Sequence, residues 1–163
     1  MAAIIEKVWI TKSGLTAMSV IIDNGKYGKH RCGYVAVPSG HALHGKGYSE
    51  NVPALADAAR NAKMGKKSPI LVFTASVDAT EGEQVRWSAD VAIDVHGGIT
   101  FSGEHEGMSV SGTWWFGFDC SHYNDARWDV QDQSIAFCEG VVRTFEYVEA
   151  ECERMAEQLA AIK

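Results

Sequence analysis

Four of the six histidines lie in three short segments that are rich in glycine or in acidic residues. These segments are "PSGHALHGKGY" (38–48), "DVHGGITFSG" (94–103) and "WWFGFDCSHYND" (114–125). An imidazole titrates near neutral pH and therefore suits proton transfer, and a neighbouring carboxylate orients it. Aromatic walls beside a few polar groups are typical of small-ligand pockets. The three segments are therefore candidate parts of one site.

The histidines of the chain, and Asp119 and Cys120 of the third segment, also have a purely structural interpretation. A histidine beside a turn often serves only as a hydrogen-bonding residue, and we favour this interpretation for His30 and His105. Asp119 is equally suited to capping the turn that follows it. Cys120 is expected to be a small buried residue rather than a nucleophile. For His96 and His122 both interpretations stay open, because each is flanked by an acid and a tight turn.

The composition excludes several classes of protein. The chain has 163 residues, of which 46% are hydrophobic and 22% charged, and its net charge is −6. These values are typical of one globular domain spanning residues 1–163, with a core that needs no disulfides. A negative chain is a poor binder of long nucleic acid, which requires a surplus of Lys and Arg, although "KMGKK" (63–67) is a local basic patch.

No targeting or metal motif is evident. The first thirty residues lack the charged and apolar regions of a secretion signal, and no run approaches eighteen apolar residues. The four cysteines form no CxxC pair, which favours reduced thiols over a zinc ribbon or disulfides. We therefore expect a soluble cytoplasmic protein that has no membrane partner and no cofactor. A divalent metal held by His96, Asp119 and His122 stays an alternative, although their spacing matches no established motif.

The first third of the sequence predicts a β-meander. Strands are expected at 3–11, 15–23 and 29–38, and the Asn-Gly pair at 24–25 favours a tight turn between the second and third. A short helix is expected at 52–63, with Pro53 in its first turn.

Further strands and one long helix complete the predicted fold. The strands are expected at 69–77, 84–95, 98–103 and 112–120. A helix from Thr144 to Ile162 is expected because apolar residues recur there at steps of three and four. These residues are Phe145, Val148, Cys152, Met155, Leu159 and Ile162. The pattern predicts an α+β fold, with a largely antiparallel sheet and the long C-terminal helix packed on one face.

Strand periodicity assigns side chains to faces. In the strand that includes residue 94, Asp94 and His96 are expected on the face opposite the core, leading into the Gly97-Gly98 turn. In the strand that begins at residue 112, the large rings 114, 116 and 118 are expected in the core. Asp119 is then expected on the other face, next to Trp115 and an open gap above Gly117.

Four blocks of the sequence resemble a family of small proteins encoded mainly by tailed bacteriophages and prophages. The blocks are "RCGYVAVPSGHALHGKGY" (31–48), "DVHGGITFSG", "WWFGFDCSHYND" and "YVEAECERMAEQL" (147–159), and they cover roughly half of the chain. Family members carry a longer insertion with its own Cys and His between the second and third blocks, where this chain has only "EHEGMSVSGT" (104–113). A metal site built from that insertion would be absent here. The resemblance implies a phage accessory protein, and such proteins often counter host defence.

This context suggests a nucleotide immune signal as the ligand. In the first hypothesis the protein is a phosphodiesterase, in which one imidazole takes a proton from a ribose 2′-hydroxyl and another donates one to the leaving oxygen. The expected catalytic groups are His44, His96 and Asp119, and His41 or His122 is the substitute imidazole. Aromatic rings would stack on bases, and glycine-rich turns would bind phosphates. The expected ligand-binding residues are His41, Gly45, Lys46, Asp94, Gly97, Gly98, Thr100, Trp115 and His122.

Two alternatives come from other classes of protein. In the second hypothesis the same pocket only sequesters a cyclic nucleotide or an ADP-ribose type of signal. In the third, the blocks form the corners of an interaction protein that has no small-molecule site. A homo-oligomer is compatible with each hypothesis, because two chains often complete a pocket in proteins of this size.

Overall fold

The structure is a computed structural model that describes residues 1–65, 86–105, 112–132 and 140–163, with only the backbone described for 62–65. Six strands form one antiparallel sheet. They are β1 (Ala2–Ile10), β2 (Thr16–Asp23), β3 (Tyr27–Pro38), β4 (Phe101–Gly103), β5 (Thr113–Asp119) and β6 (Trp128–Val130). The helices are α1 (Ala56–Gly65), α2 (Ala89–Ala92) and α3 (Phe145–Ala160). The predicted α+β class is confirmed.

The strand order is β1-β2-β3-β5-β4, and β6 pairs with the first part of β3. The meander formed by β1, β2 and β3 is confirmed, and Gly25 has the positive φ (61°) that its turn requires. A single 3₁₀ turn, Pro53–Leu55, leads into α1 where the short helix is predicted. None of the described helices combines the length and apolar character needed to cross a bilayer.

Helix α3 packs on β2 and β3 and closes the main core. Thr144 caps its first turn, because its hydroxyl oxygen accepts a hydrogen bond from the backbone N–H of Tyr147 at 3.3 Å. The predicted apolar stripe is buried from Val148 to Leu159. The stripe meets Val35, Val37, Phe116 and Phe118 of the sheet. Hydrophobic burial along this stripe therefore fixes the position of α3, which carries several residues of the site described below.

The two faces of β5 follow the predicted alternation. Phe116 and Phe118 belong to the core beneath α3, whereas Trp115 packs on the other face with Met18, Val20 and Ala36. One detail of the prediction is wrong. The space above Gly117 is filled by the ring of Tyr34, with Cε1 only 2.6 Å from where a Cβ at this position would lie, so no gap is present there.

The prediction of a strand at 84–95 is wrong over its described part. Residues 89–92 form one turn of helix, between Ser88, which is extended, and an extended segment that begins at Ile93. This extended segment joins no strand, because the side chains of α3 take its hydrogen bonds. The Asp94 N–H donates to Gln158 Oε1 (2.7 Å), the Gln158 amide donates to the Asp94 carbonyl (2.8 Å), and the His96 N–H donates to Glu151 Oε2 (2.7 Å).

Two further predicted strands differ from the structure or lie outside it. The strand predicted at 98–103 is shorter, because residues 97 and 98 both adopt positive φ in a turn and pairing with β5 begins only at Phe101. The strand predicted at 69–77 lies outside the described residues. The strand predicted at 112–120 is confirmed as β5.

Candidate functional site

Strand β5 separates the predicted site residues into two groups. Its first residue, Thr113, pairs with Pro38, and its last, Asp119, pairs with Cys32. A strand rises about 3.3 Å per residue, so the two ends lie about 20 Å apart. The histidine loop lies at the first end, where the indole N–H of Trp114 donates to the Lys46 carbonyl at 2.9 Å. The convergence of this loop with His96 and Asp119 on one surface, expected from sequence, is therefore wrong.

The histidines of that loop have structural contacts. His41 bridges the loop to the end of α3, with Nε2 3.0 Å from the Leu159 carbonyl and Nδ1 accepting the Leu43 N–H at 3.1 Å. The His44 ring packs 6.2 Å from that of Trp114. Lys46 forms an exposed ion pair with Glu50 (2.8 Å). Gly45 supplies a turn with φ of 77°. This set lies at the end of β5 opposite Asp119.

The opposite end of β5 brings together what we call the two-histidine cluster. Its members are His96, His122, Asp119, Asp125 and Tyr147. The rings of the two histidines lie 5.7 Å apart, and each has its own aspartate. The two imidazoles differ in exposure, because the side chain of His96 is 11% exposed and that of His122 is 33% exposed. One is therefore a buried partner, and the other reaches the surface.

His96 is bonded at both ring nitrogens. Nε2 lies 2.8 Å from Asp125 Oδ2, and Nδ1 lies 2.9 Å from the Tyr147 hydroxyl. The extended segment 93–96 positions this ring by docking on α3, and Phe118 packs against it at 6.4 Å. Asp125, His96 and Tyr147 thus form a continuous chain of hydrogen bonds from a buried carboxylate to a half-buried phenol.

Asp125 is the most enclosed charged group of the cluster, with a side chain only 1% exposed. Burial alone would raise the pKa of this carboxyl. Hydrogen bonds from Arg143 Nε (2.7 Å), from His96 and from the His122 backbone N–H (3.0 Å) outweigh burial and lower it. Asp125 is therefore an ionised carboxylate that orients His96.

His122 and Asp119 form the outer pair. Nε2 of His122 is buried without a hydrogen-bond partner and lies 3.7 Å from Asp119 Oδ1, whereas Nδ1 is not buried. Asp119 is itself fixed, because it accepts the Thr100 hydroxyl (3.1 Å) and the Ser121 N–H (3.0 Å). The second of these bonds is the turn cap that the structural interpretation of Asp119 predicts. Nε2 therefore faces Asp119 without a hydrogen bond, and Nδ1 is the nitrogen of His122 that reaches the surface.

Gly97 allows His122 to occupy this position. A Cβ atom at residue 97 would collide with Cδ2 and Nε2 of the imidazole, and residue 97 also has φ of 65°. The neighbouring Gly98 has φ of 87°, yet nothing lies within 4 Å of its Cβ position. The pair of glycines therefore serves two purposes, a turn at both positions and close approach of a ring at the first.

The remaining predicted residues have mixed outcomes. Thr100 contacts the two-histidine cluster through Asp119, whereas Asp94 lies outside it, with its side chain paired to Arg154 of α3 at 2.9 Å. Trp115 is 0% exposed, so its ring has no face open for stacking on a base. The prediction that Trp115 contacts a ligand is therefore wrong. Cys120 is buried at the end of β5, as expected.

Sequence reasoning missed three residues of this end of the sheet. Tyr147 and Arg143 lie about twenty residues beyond the "WWFGFDCSHYND" segment, and no motif connects them to it. Asp125 closes that segment but was not selected as a site residue. The Arg143 guanidinium also lies over the Tyr147 ring, 4.7 Å from its centroid. The sequence signals were the proximity of Tyr147 and Arg143 to the N-terminus of a predicted helix, and the places of Tyr147 and Asp125 at the ends of two of the four blocks.

The arrangement supports proton transfer better than metal binding. Within the described ranges, no three His, Cys, Asp or Glu side chains are arranged to hold a metal ion. Both nitrogens of His96 are already engaged, which conflicts with its use as a ligand beside Asp119 and His122.

Comparisons with known proteins found no family model, no curated protein and no solved structure that matches this chain.

Proposed function

We propose that the protein acts on a small nucleotide immune signal of a bacterial host, as a phage accessory protein, by cleaving a phosphodiester bond. The observation that carries this proposal is the pair of adjacent imidazoles, 5.7 Å apart, of which His96 is hydrogen-bonded to Asp125 and His122 lies beside Asp119. Metal-free cleavage of a ribonucleotide requires one group that takes a proton and a second group nearby that supplies one.

His122 is the base in this proposal. Its outward Nδ1 takes the proton of a ribose 2′-hydroxyl, and Asp119 stabilises the positive charge that then forms on the ring. The 2′-oxygen attacks the adjacent phosphorus and displaces the leaving oxygen. His96 does not contact the substrate, because both of its nitrogens are bonded within the protein. This assignment moves the base from His44, which lies at the other end of β5.

Two guanidinium groups lie at the same end of the sheet. Arg127 donates to the Ser121 hydroxyl at 2.9 Å, directly beside His122 in the chain. Arg143 is anchored on Asp125. Guanidinium groups held in this way suit phosphate recognition.

Sequestration without cleavage is the second candidate. The observation that favours it is that every side-chain polar atom of His96 and Asp125 is hydrogen-bonded within the protein. A rigid arrangement of this kind is typical of a preorganised binding site. In this case His122 would contribute one hydrogen bond to a phosphate.

One experiment separates the candidates. Purified protein is incubated with cyclic dinucleotides and with ADP-ribose derivatives, denatured by heat and removed, and the solution is analysed by mass spectrometry. Cleavage predicts new products, with a rate that falls roughly 10²- to 10⁴-fold in His122→Ala. Arg60→Gln, at an exposed ion pair on α1, is the matched control and should behave as wild type.

The other outcomes are equally informative. A signal that disappears on binding and returns intact after heating supports sequestration and contradicts cleavage. Signals that are neither bound nor cleaved contradict both and leave the interaction protein.

A further inference from the structure

The hydrogen-bonded chain from Asp125 through His96 ends at a group that the proposed cleavage has not used. Tyr147 lies in the first turn of α3, half-buried, with its hydroxyl 2.9 Å from His96 Nδ1. The chain begins at a carboxylate that is 1% exposed and leads outward, so the phenol is its outermost member. This order of groups, from a buried carboxylate through an imidazole to a hydroxyl, is typical of a proton relay.

Tyr147 and His122 both pack against the same imidazole. The His96 ring is 5.5 Å from the Tyr147 ring and 5.7 Å from the His122 ring. A base and an acid that act on one phosphodiester must stand a few ångströms apart, on either side of the phosphorus. Tyr147 and His122 are both immediate ring neighbours of His96.

The surroundings of Tyr147 keep its proton in place until the reaction. Burial, followed by the nearby Glu151 carboxylate, raises the pKa of the phenol, and Arg143 opposes this effect only in part. A phenol with a raised pKa is fully protonated at neutral pH and is therefore a donor. The Arg143 guanidinium over the ring also restrains its orientation.

We propose that Tyr147 is the general acid of the site, donating its hydroxyl proton to the leaving oxygen while His96 replaces that proton. This assignment rests on the proposed phosphodiesterase function. His122 Nδ1 removes the proton from the 2′-hydroxyl, the 2′-oxygen forms a bond to phosphorus, and the bond from phosphorus to the leaving 5′-oxygen breaks. The leaving oxygen receives the Tyr147 proton, and the phenol oxygen receives the Nδ1 proton of a protonated His96. His96 is then neutral, with its remaining proton on Nε2 facing Asp125.

The proposal also defines the substrate class. The bond must join a ribonucleotide that has a free hydroxyl next to its phosphate to a leaving group that is an ordinary alcohol, which departs readily only when its oxygen is protonated. An internucleotide ribose linkage meets both requirements, and its poor leaving group is the reason that an acid is needed.

Two probes that share the attacked nucleotide test the assignment. Adenylyl-(3′→5′)-adenosine needs a proton on its leaving oxygen. Adenosine 3′-(4-nitrophenyl phosphate) does not, because 4-nitrophenolate is stable without one. Single-turnover rates are measured for wild type, Tyr147→Phe and His122→Ala, with cyclic di-adenosine monophosphate as a third substrate. Tyr147→Phe keeps the ring and its contact with Arg143, and His96→Asn is the second variant, which interrupts the relay without altering Tyr147.

Tyr147→Phe and His96→Asn should slow cleavage of the two ribose-linked substrates roughly 10²- to 10⁴-fold and leave the nitrophenyl ester within a few-fold of wild type. His122→Ala should slow all three. Equal losses on both kinds of substrate, or no loss in Tyr147→Phe, overturn the role of Tyr147 and leave the proposed function standing. A wild type that cleaves the ribose linkage but not the more reactive ester also overturns it. A wild type that cleaves none of the three overturns the proposed function and this assignment together.

Discussion

Gly97 lies directly against the imidazole of His122, and the space between them is too small for a Cβ atom. The surface histidine of the two-histidine cluster therefore owes its position to the absence of a side chain on the neighbouring turn. We expect Gly97→Ala to displace the His122 ring, which would change the NMR signals of this imidazole and abolish any activity that depends on it.

Gly98→Ala is the matched control for this change. Both glycines have positive φ, so each substitution should cost about 1 kcal/mol of unfolding free energy from backbone strain. Only residue 97 contacts His122, so the His122 signals should stay in place in Gly98→Ala. Equal displacement in the two variants would show that the turn, and not the close contact, positions the ring.

Asp125→Asn should lower the unfolding free energy strongly. The substitution keeps the size of the side chain but leaves Arg143 and His96 facing a neutral amide in a buried position, which costs about 3 kcal/mol. Urea denaturation at pH 7 measures the loss. Asp129→Asn, at an exposed ion pair with Lys29, should have no measurable effect. A comparable loss in the two variants would contradict the importance of burial.

The stability difference between wild type and Asp125→Asn should depend on pH. The pKa of Asp125 is lowered from its ordinary value of 3.8, so the folded state binds fewer protons there than the unfolded chain does. The stability that this carboxylate contributes is fully present above about pH 5 and is lost as the pH falls through 3.8 toward the folded value. The gap between wild type and Asp125→Asn should therefore narrow as the pH falls below 4. A gap that widens in acid would mean that the pKa is raised.

The sequence predicted those parts of the fold that depend on local periodicity. The spacing of Val148, Cys152 and Leu159 predicts α3. The alternation in β5 predicts that Phe116 and Trp115 lie on opposite faces of the sheet. Such patterns are visible because one face of each element is buried and the other is not.

The cluster itself was only partly predictable. His96, His122 and Asp119 were selected, whereas Tyr147 was not, because their proximity depends on how segment 93–96 docks on α3. That docking uses side-chain to backbone bonds from Gln158 and Glu151, which leave no periodic pattern in the sequence. The alternation around residue 94 led to the prediction of a strand, because side chains alternate along any extended backbone, whether or not a neighbouring strand pairs with it.

His41→Ala should destabilise the protein without disturbing the cluster. The change removes the link between the histidine loop and the Leu159 carbonyl and leaves the Leu43 N–H without its acceptor, at a cost of about 1 kcal/mol. Thermal unfolding measures this loss, and the NMR signals of His122 report on the cluster. Altered His122 signals would show that the two ends of β5 are coupled.

The described cysteines should resist alkylation in the folded protein. Cys32, Cys120 and Cys152 are buried, and burial raises the pKa of each thiol, to about 12 for Cys32. Iodoacetamide at pH 8, followed by peptide mass spectrometry, should modify these three only after unfolding. Rapid labelling of Cys120 in the native protein would reopen its role as a nucleophile.

The contacts between β1 and α3 have a consequence for synthesis of the chain. Lys7 meets Glu149 and Trp9 meets Glu153 across more than 140 residues, although β1, β2 and β3 pair with immediate neighbours in sequence. On the ribosome the meander therefore emerges long before its cover does. If the ribosome pauses before residue 145, the apolar face around Val35 and Val37 stays exposed to other unfolded chains nearby. This risk of aggregation ends only when α3 has been made and packs on the sheet.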